Sequence, residues 1–219
     1  LGTSVNKDVL IFEEKSEAFT VGIGLSSDEK YFFISSSDHN TSEQYYFKAD
    51  EENPKPKLIK ERKKGIIYSV NSWDGKFYIH TNENAEDFKI DFCDNLSSQN
   101  WEPFIPAKDE VLIGGLVFLK NWIIRSETSD ALGKLILRNP KTGKELNLDF
   151  VEEKVIVPGV SLKQRDRNTN EVYLSYSSPK TPGKTYLYNL HTNKKILVKE
   201  QKIPSGHDPD NYIVERLEC

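Results

Sequence analysis

Alanine is scarce in this sequence, with five residues in 219, and there are only two cysteines and four histidines. So few alanines beside eleven Phe, ten Tyr and three Trp weigh against a helical fold, because aromatic and β-branched side chains suit a pleated surface better than a helix. Cys93 and Cys219 make no disulfide framework; they suit a reducing compartment, and both are expected as free thiols. His39, His80, His191 and His207 are scattered, without metal-ligand spacing. No apolar run approaches the length of a membrane span. A basic excess is lacking too: the net charge is −4 and the pI about 5.7, so neither nucleic acid nor a membrane surface is expected as a partner. No secretory leader is read at the N-terminus, which begins at Leu1 rather than Met. A soluble, cytoplasmic chain cut from a longer reading frame is therefore expected.

Motifs that carry chemistry are missing as well. A serine hydrolase of the α/β type needs Gly-x-Ser-x-Gly at a strand-to-helix elbow. The nearest stretch, Gly159-Val160-Ser161-Leu162-Lys163, lacks the second glycine and reads as strand. There is no phosphate-binding loop, and Asp208-Pro209-Asp210-Asn211 lacks the glycine and distal glutamate of a calcium loop. No catalytic, cofactor-binding or metal-ligating residue is assigned, and no cofactor is expected.

What the chain does have is a repeat. One strand type returns as Lys30–Ser35, Lys76–Thr81, Asn121–Ser126 and Glu171–Tyr176. Its spacing, taken from Tyr31, Phe77, Trp122 and Val172, is 46, 45 and 50 residues. Both faces are apolar, as in strands buried between neighbouring sheets. A second strand follows each (Tyr45–Phe47, Phe88–Ile90, Leu135–Leu137, Tyr186–Tyr188), and then a more polar third (Lys57–Lys60, Glu102–Ile105, Leu146–Asp149, Lys195–Val198). Another precedes each: Phe19–Ile23, Ile66–Val70, Gly115–Phe118 and Val157–Ser161. Turn chemistry separates them, most plainly at Asn139-Pro140-Lys141-Thr142-Gly143 and His191-Thr192-Asn193.

Four strands in about 45–50 residues match a β-propeller blade. The fold class expected is all-β, with about four four-stranded blades over 15–62, 63–106, 107–149 and 150–200. Asp8–Glu13 reads as an outer strand of an earlier blade. Parallel β-helix repeats are shorter, and a sandwich has no reason to keep the period. Trp73-Asp74 is expected within a turn rather than at a strand end, as turn chemistry and not a WD signature. Asp50, Glu51 and Glu52 against Lys55, Lys57, Lys60, Arg62, Lys63 and Lys64 read as a solvated hairpin with limbs of opposite sign, a basic docking patch being the less favoured reading. Lys163-Gln164-Arg165-Asp166-Arg167 reads as a solvated turn, with an opening-facing cluster as the alternative.

Order and spacing of several motifs carry a resemblance. These are Leu1-Gly2-Thr3, Asp8–Lys15, Ser35-Ser36-Ser37, Thr41-Ser42-Glu43, Lys64–Val70, and Phe77–Asn82 with Ala85 and Phe88. Further along come Trp101–Pro106 with Asp109 and Gly114, Tyr176–Pro182 leading to Tyr186 and Tyr188, and Asp208–Tyr212 with Glu215-Arg216-Leu217. Across nearly its whole length the chain resembles the propeller domain of the prolyl oligopeptidase family of serine peptidases, in its oligopeptidase B (protease II) branch.

The resemblance implies a seven-bladed propeller capping an α/β-hydrolase domain with a Ser, Asp and His triad, in enzymes that cut short peptides after Lys or Arg. It implies that 201–219 is a linker toward that catalytic domain, which would be the partner of this chain, and that short peptides are the substrates of the full enzyme. No position here matches the triad, so the chain alone is expected to be inert. The propeller would control access, and no gating residues are assigned. The alternative is a stand-alone propeller serving as a protein- or peptide-binding platform; a closed four-bladed ring is a third geometry. Four blades of a larger ring leave terminal faces uncovered. Tyr31, Phe33 and Phe47 at one end and Tyr173, Leu174, Tyr186 and Tyr188 at the other are expected to be exposed and to favour self-association.

Overall fold

The structure, a computed structural model, describes residues 4–98, 100–215 and 217. It is all-β, with four four-stranded antiparallel sheets, each built from consecutive strands in spatial order along the chain. Sheet 1 holds β1 (Thr20–Leu25), β2 (Tyr31–Ser37), β3 (Ser42–Lys48) and β4 (Lys57–Lys60). Sheet 2 holds β5 (Tyr68–Trp73), β6 (Lys76–Thr81), β7 (Lys89–Cys93) and β8 (Glu102–Ile105). Sheet 3 holds β9 (Val111–Leu119), β10 (Trp122–Ser129), β11 (Leu132–Arg138) and β12 (Glu145–Asn147). Sheet 4 holds β13 (Val157–Leu162), β14 (Glu171–Ser177), β15 (Lys184–Asn189) and β16 (Lys195–Glu200). The helical content described is two single 3₁₀ turns, Val5–Lys7 and Pro209–Asn211. The chain divides into two compact units, Leu1–Lys108 and Asp109–Cys219.

Turn residues set the hairpins. Asp74 and Gly75 both have positive φ, 51° and 76°, the left-handed pair that a two-residue turn between β5 and β6 demands. Trp73 is the last residue of β5, paired with Lys76, so it stands at a strand end and not inside the turn as expected. Between β11 and β12, Asn139 accepts at its side-chain oxygen from the Lys141 and Thr142 amides, and Gly143 follows at φ 72°. Phe88 takes φ 66° and closes a turn, which delays the next strand to Lys89 although Phe88 looks strand-forming in sequence.

In the first unit the core lies between sheets 1 and 2. Phe33 and Ile59 meet Tyr68, Val70, Phe77, Ile79, Cys93 and Leu96, with Tyr31 edge-on to Phe77 at 5.0 Å. Burying side chains of this size contributes roughly 1.5–3 kcal/mol each. In the second unit Leu119, Ile124, Leu135, Leu137, Leu148 and Phe150 of sheet 3 and its flank pack on Val172, Leu174, Tyr176, Tyr188 and Leu190.

These clusters correct the expected exposed faces. Phe33 is 5% exposed, Phe47 8%, Leu174 0% and Tyr188 4%, while Tyr31, Tyr173 and Tyr186 are half-buried. The period of two places Tyr31 and Phe33 toward sheet 2, and Leu174 and Tyr188 toward sheet 3. Cross-strand register puts Val21, Ile23, Leu25, Phe32, Ile34, Tyr45, Phe47 and Leu58 on the opposite face of sheet 1. Val21, Ile23, Leu25 and Leu58 are its exposed members.

The segment Asp8–Glu13 forms no strand and pairs with no described strand. It runs instead onto that face of sheet 1, where the Phe12 ring sits 4.7 Å from Tyr45. Glu14 then accepts a hydrogen bond from the Ser36 hydroxyl at 2.6 Å and is forked by the Arg62 guanidinium at 3.0 and 3.2 Å. Cys93 is a free, buried thiol. Cys219, the Leu1-Gly2-Thr3 motif and Arg216 lie outside the described residues.

Candidate functional site

Each unit has an inter-sheet cleft that gathers polar side chains able to meet a ligand. In the first unit a cleft of about 440 Å³ is lined by Lys60, Arg62, Tyr68, Glu83 and Trp101, among others. Two of its cations are already matched. Lys60 pairs with Glu83 and lies 4.8 Å from the centre of the Trp101 ring, and Arg62 is held by Glu14. The Arg62 and Ser36 hydrogen bonds hold the Glu14 carboxyl at about 2, well below its ordinary 4.5.

Hydroxyls near this cleft are consumed by the backbone. Tyr68 donates to the Lys60 carbonyl at 2.6 Å and accepts from the Gln44 and Lys60 amides, and burial pushes its phenol up to about 12. The Ser42 hydroxyl donates to the Tyr68 carbonyl and accepts from the Tyr68 amide, both at 2.8 Å. Thr81 donates to the Ile67 carbonyl. The Tyr68 and Ser42 hydroxyls join sheets 1 and 2, Thr81 bonds within the edge of sheet 2, and none is an activated nucleophile.

The second unit has a cleft of about 270 Å³ lined by Lys134, Phe150, Glu153, Lys154 and Pro158 with their neighbours. Glu153 accepts from the Ser178, Thr181 and Tyr176 hydroxyls. Burial opposes its charge, yet these three bonds prevail and keep its carboxyl below the ordinary range. On the face of sheet 3 opposite the apolar cluster, Arg125 is 2% exposed and bonds Glu127 at 2.8 Å and both Glu145 oxygens at 2.6 and 2.7 Å. Arg138 adds a bond to Glu145 at 2.7 Å. Burial alone would push the Arg125 guanidinium down, and the carboxylates of Glu145 and Glu127 reverse this. A β-bulge sets Arg125 and Glu127 in place: Gly114 and Gly115 of β9 together oppose Ser126.

The charge clusters singled out in the sequence are divided by the fold. Asp50, Glu51, Glu52, Lys55 and Lys57 are exposed around the β3–β4 connection, whereas Lys60 and Arg62 are engaged as above. In the 163–167 turn, Lys163 pairs with Glu171 and Arg167 donates to the Phe118 carbonyl at 2.9 Å. That bond ties the β13–β14 turn to the end of β9. Asp208 caps the Pro209–Asn211 turn through the Asp210 amide. His39 and His191 are on exposed loops, His80 stacks on Phe88 at 4.6 Å, and His207 stacks on Tyr212 at 5.1 Å. Among the described residues no group of three or more His, Cys, Asp and Glu is placed to hold a metal ion. The Glu14–Arg62 clasp escaped sequence reading because its partners are 48 residues apart. The Arg125, Glu127 alternation is a two-residue signal that could have been read.

Comparison with known proteins agrees with this scaffold of packed sheets. The family described as "Prolyl oligopeptidase, N-terminal beta-propeller domain" matches residues 1–201. Protease 2 of Moraxella lacunata is 30% identical over 231 residues, covering 99% of this chain and 31% of that protein. Dipeptidyl aminopeptidase BI of Pseudoxanthomonas mexicana is 28% identical over 220 residues, covering 99% and 30%. Among solved structures, oligopeptidase B from Trypanosoma brucei with covalently bound antipain superposes with a TM-score of 0.86 at 22% identity, over 97% of this chain and 32% of that one. Oligopeptidase B from Leishmania major gives 0.83 at 19% identity, over 99% and 32%. The chain thus spans about a third of the length of the relatives it matches. Four sheets of the repeat and a match over 1–201 together establish that this chain belongs to the prolyl oligopeptidase N-terminal β-propeller domain family.

Proposed function

We propose that this chain is the substrate-gating propeller part of a cytoplasmic serine oligopeptidase similar to protease 2, whose full-length form cleaves short peptides after Lys or Arg. The carrying observation is that 99% of the chain aligns with only 31% of a peptidase, while its own residues contain no nucleophile elbow. The chemistry is then supplied by an α/β-hydrolase domain of the same parent chain, and this part works by exclusion. The four blades are taken as 15–62, 63–106, 107–149 and 150–200 of a seven-bladed ring, with 201–219 as the connection toward the catalytic domain. A narrow opening or hinged gap admits an extended peptide and rejects a folded protein, and closure also removes water from the reacting centre. The paired charges and engaged hydroxyls of both units suit such a rigid cap.

The test is to express the whole reading frame that contains this chain. The expected enzyme carries a Gly-x-Ser-x-Gly elbow, cleaves unstructured peptides after Lys or Arg, and spares a folded protein that displays the same residues on its surface. A reading frame without a hydrolase domain, or equal cleavage of peptide and folded protein, would refute the proposal.

A further inference from the structure

Two motifs singled out in the sequence, Tyr176–Pro182 and Asp208–Tyr212, are brought together by the fold. The first runs from the end of β14 into its connection with β15, and that connection is firmly built. Glu153 accepts from the Ser178 and Thr181 hydroxyls, the Ser178 amide donates to the Thr181 carbonyl at 3.0 Å, and Thr181 is buried. The Lys180 carbonyl between them is thereby presented at a fixed place.

The chain that leaves β16 returns to this connection. The Gln201 amide donates to the Gly183 carbonyl at 2.8 Å. A turn follows, with the Gly206 amide donating to the Ile203 carbonyl at 3.0 Å and Gly206 itself at φ 84°, a left-handed conformation that suits glycine. His207 then donates from Nε2 to the Lys180 carbonyl at 2.7 Å, across 27 residues of chain. Asp208 caps the short turn Pro209–Asn211, which brings the Tyr212 ring back to stack on His207 at 5.1 Å and 21°. No residue from 201 to 212 is buried. One hydrogen bond and one ring stack therefore hold this stretch at its far end, against a connection fastened by several bonds.

We propose that residues 201–212 form a latch, in which His207 and Tyr212 fasten the chain leaving sheet 4 to the β14–β15 connection and release that chain when their contact breaks. So few exposed contacts give an open fraction on the order of 1–10%. Resting on the reading of 201–219 as the connection toward a catalytic domain, the closed latch keeps that connection short and fixes its direction. Each residue freed adds up to about 3.3–3.6 Å of reach, so release widens the gap that a substrate must pass.

Hydrogen–deuterium exchange of the 219-residue chain, read residue by residue, tests the latch. The Gly206, Asn211 and Tyr212 amides, each bonded to a carbonyl of its own turn, should exchange about tenfold or more slowly than in an unstructured peptide. His207→Ala and Tyr212→Ala should each erase most of that protection, and Tyr212→Phe should keep it. The Leu174 amide in β14 should be unmoved by all three, since His207 and Tyr212 are exposed and outside the sheet. Unprotected wild-type amides, or protection indifferent to His207→Ala, overturn the latch. In the whole enzyme, His207→Ala should leave turnover of a short unstructured peptide within about twofold and raise cleavage of a folded protein about fivefold or more. An unchanged ratio, with the latch open by exchange, overturns its role in access. A reading frame without a hydrolase domain removes the proposed function and that role with it, whereas the latch is decided by exchange in the chain itself.

Discussion

Replacing Glu145 by Gln keeps the shape of the side chain and removes the charge that Arg125 and Arg138 share. Hydrogen bonds from Arg125, reinforced by those from Arg138, hold the Glu145 carboxyl at about 2 against an ordinary 4.5. At about 1.4 kcal/mol per pH unit, that difference corresponds to roughly 3 kcal/mol of folding stability. The side chain is 29% exposed, and solvent screening reduces the expected loss at pH 7 to about 1–2 kcal/mol. The sign follows from the lowered value. Stability from this group is fully present above the unfolded-state value near 4.5 and is lost as pH falls through about 2. Urea unfolding of wild type and Glu145→Gln, followed by tryptophan fluorescence and circular dichroism, should show a gap that falls by about half or more by roughly pH 3. Arg125→Met should cost more, about 3–5 kcal/mol, because it removes the cation between Glu127 and Glu145 at a buried site. A gap for Glu145→Gln that is unchanged between pH 7 and pH 3, or is absent at pH 7, would refute the reasoning.

The isolated chain should neither hydrolyse Arg or Lys ester substrates nor take up a fluorophosphonate probe; stoichiometric labelling would overturn this. Burial pushes the Cys93 thiol up, so it should react slowly with Ellman's reagent in the native chain, while unfolding without reductant should release two thiols per chain. A Cβ at Gly133 would lie 2.5 Å from the Pro158 ring, so Gly133→Ala should cost about 1–3 kcal/mol in a thermal melt. Gly22→Ala meets open space and should leave stability within about 0.5 kcal/mol or raise it slightly, which makes it the internal control.

The strands were legible because each repeat places its own turn signals around a short apolar run, as Lys76–Thr81 shows by coinciding with β6. What the runs did not reveal was which face of a strand meets which neighbour. Phe33 and Phe47 look equally available in sequence, yet one packs toward sheet 2 and the other stacks on Phe32 at 5.4 Å on the opposite face. Phe88 shows a second limit: its side chain favours a strand, but the turn it closes needs a positive φ, and local geometry prevails. The candidate site was legible mostly as an absence of catalytic motifs. Its ion pairs, Glu14 with Arg62 and Arg125 with Glu145, join residues 48 and 20 apart, and single-sequence spacing carries no trace of them.

The border between sheets 1 and 2 is directional as well as apolar. Besides the Ser42 and Tyr68 bonds, Gln44 accepts from the Val70 amide at 2.7 Å, Asn71 accepts from the Ser27 amide at 2.8 Å, and the Ser72 hydroxyl donates to Asp28 at 2.8 Å. Oil-like contact alone would let two blades slide or rock over each other at little cost. Bonds spaced along all of β5 fix the angle and offset instead, and each is worth about 1 kcal/mol net. The two blades should therefore melt in one transition and move as a single stiff lever, with nearest-neighbour coupling at its strongest within the pair. Amide exchange should report the same protection for Ile79 and Asp91, paired across β6 and β7, as for Ile34 in sheet 1, which leaves bending of the molecule to places outside residues 20–105.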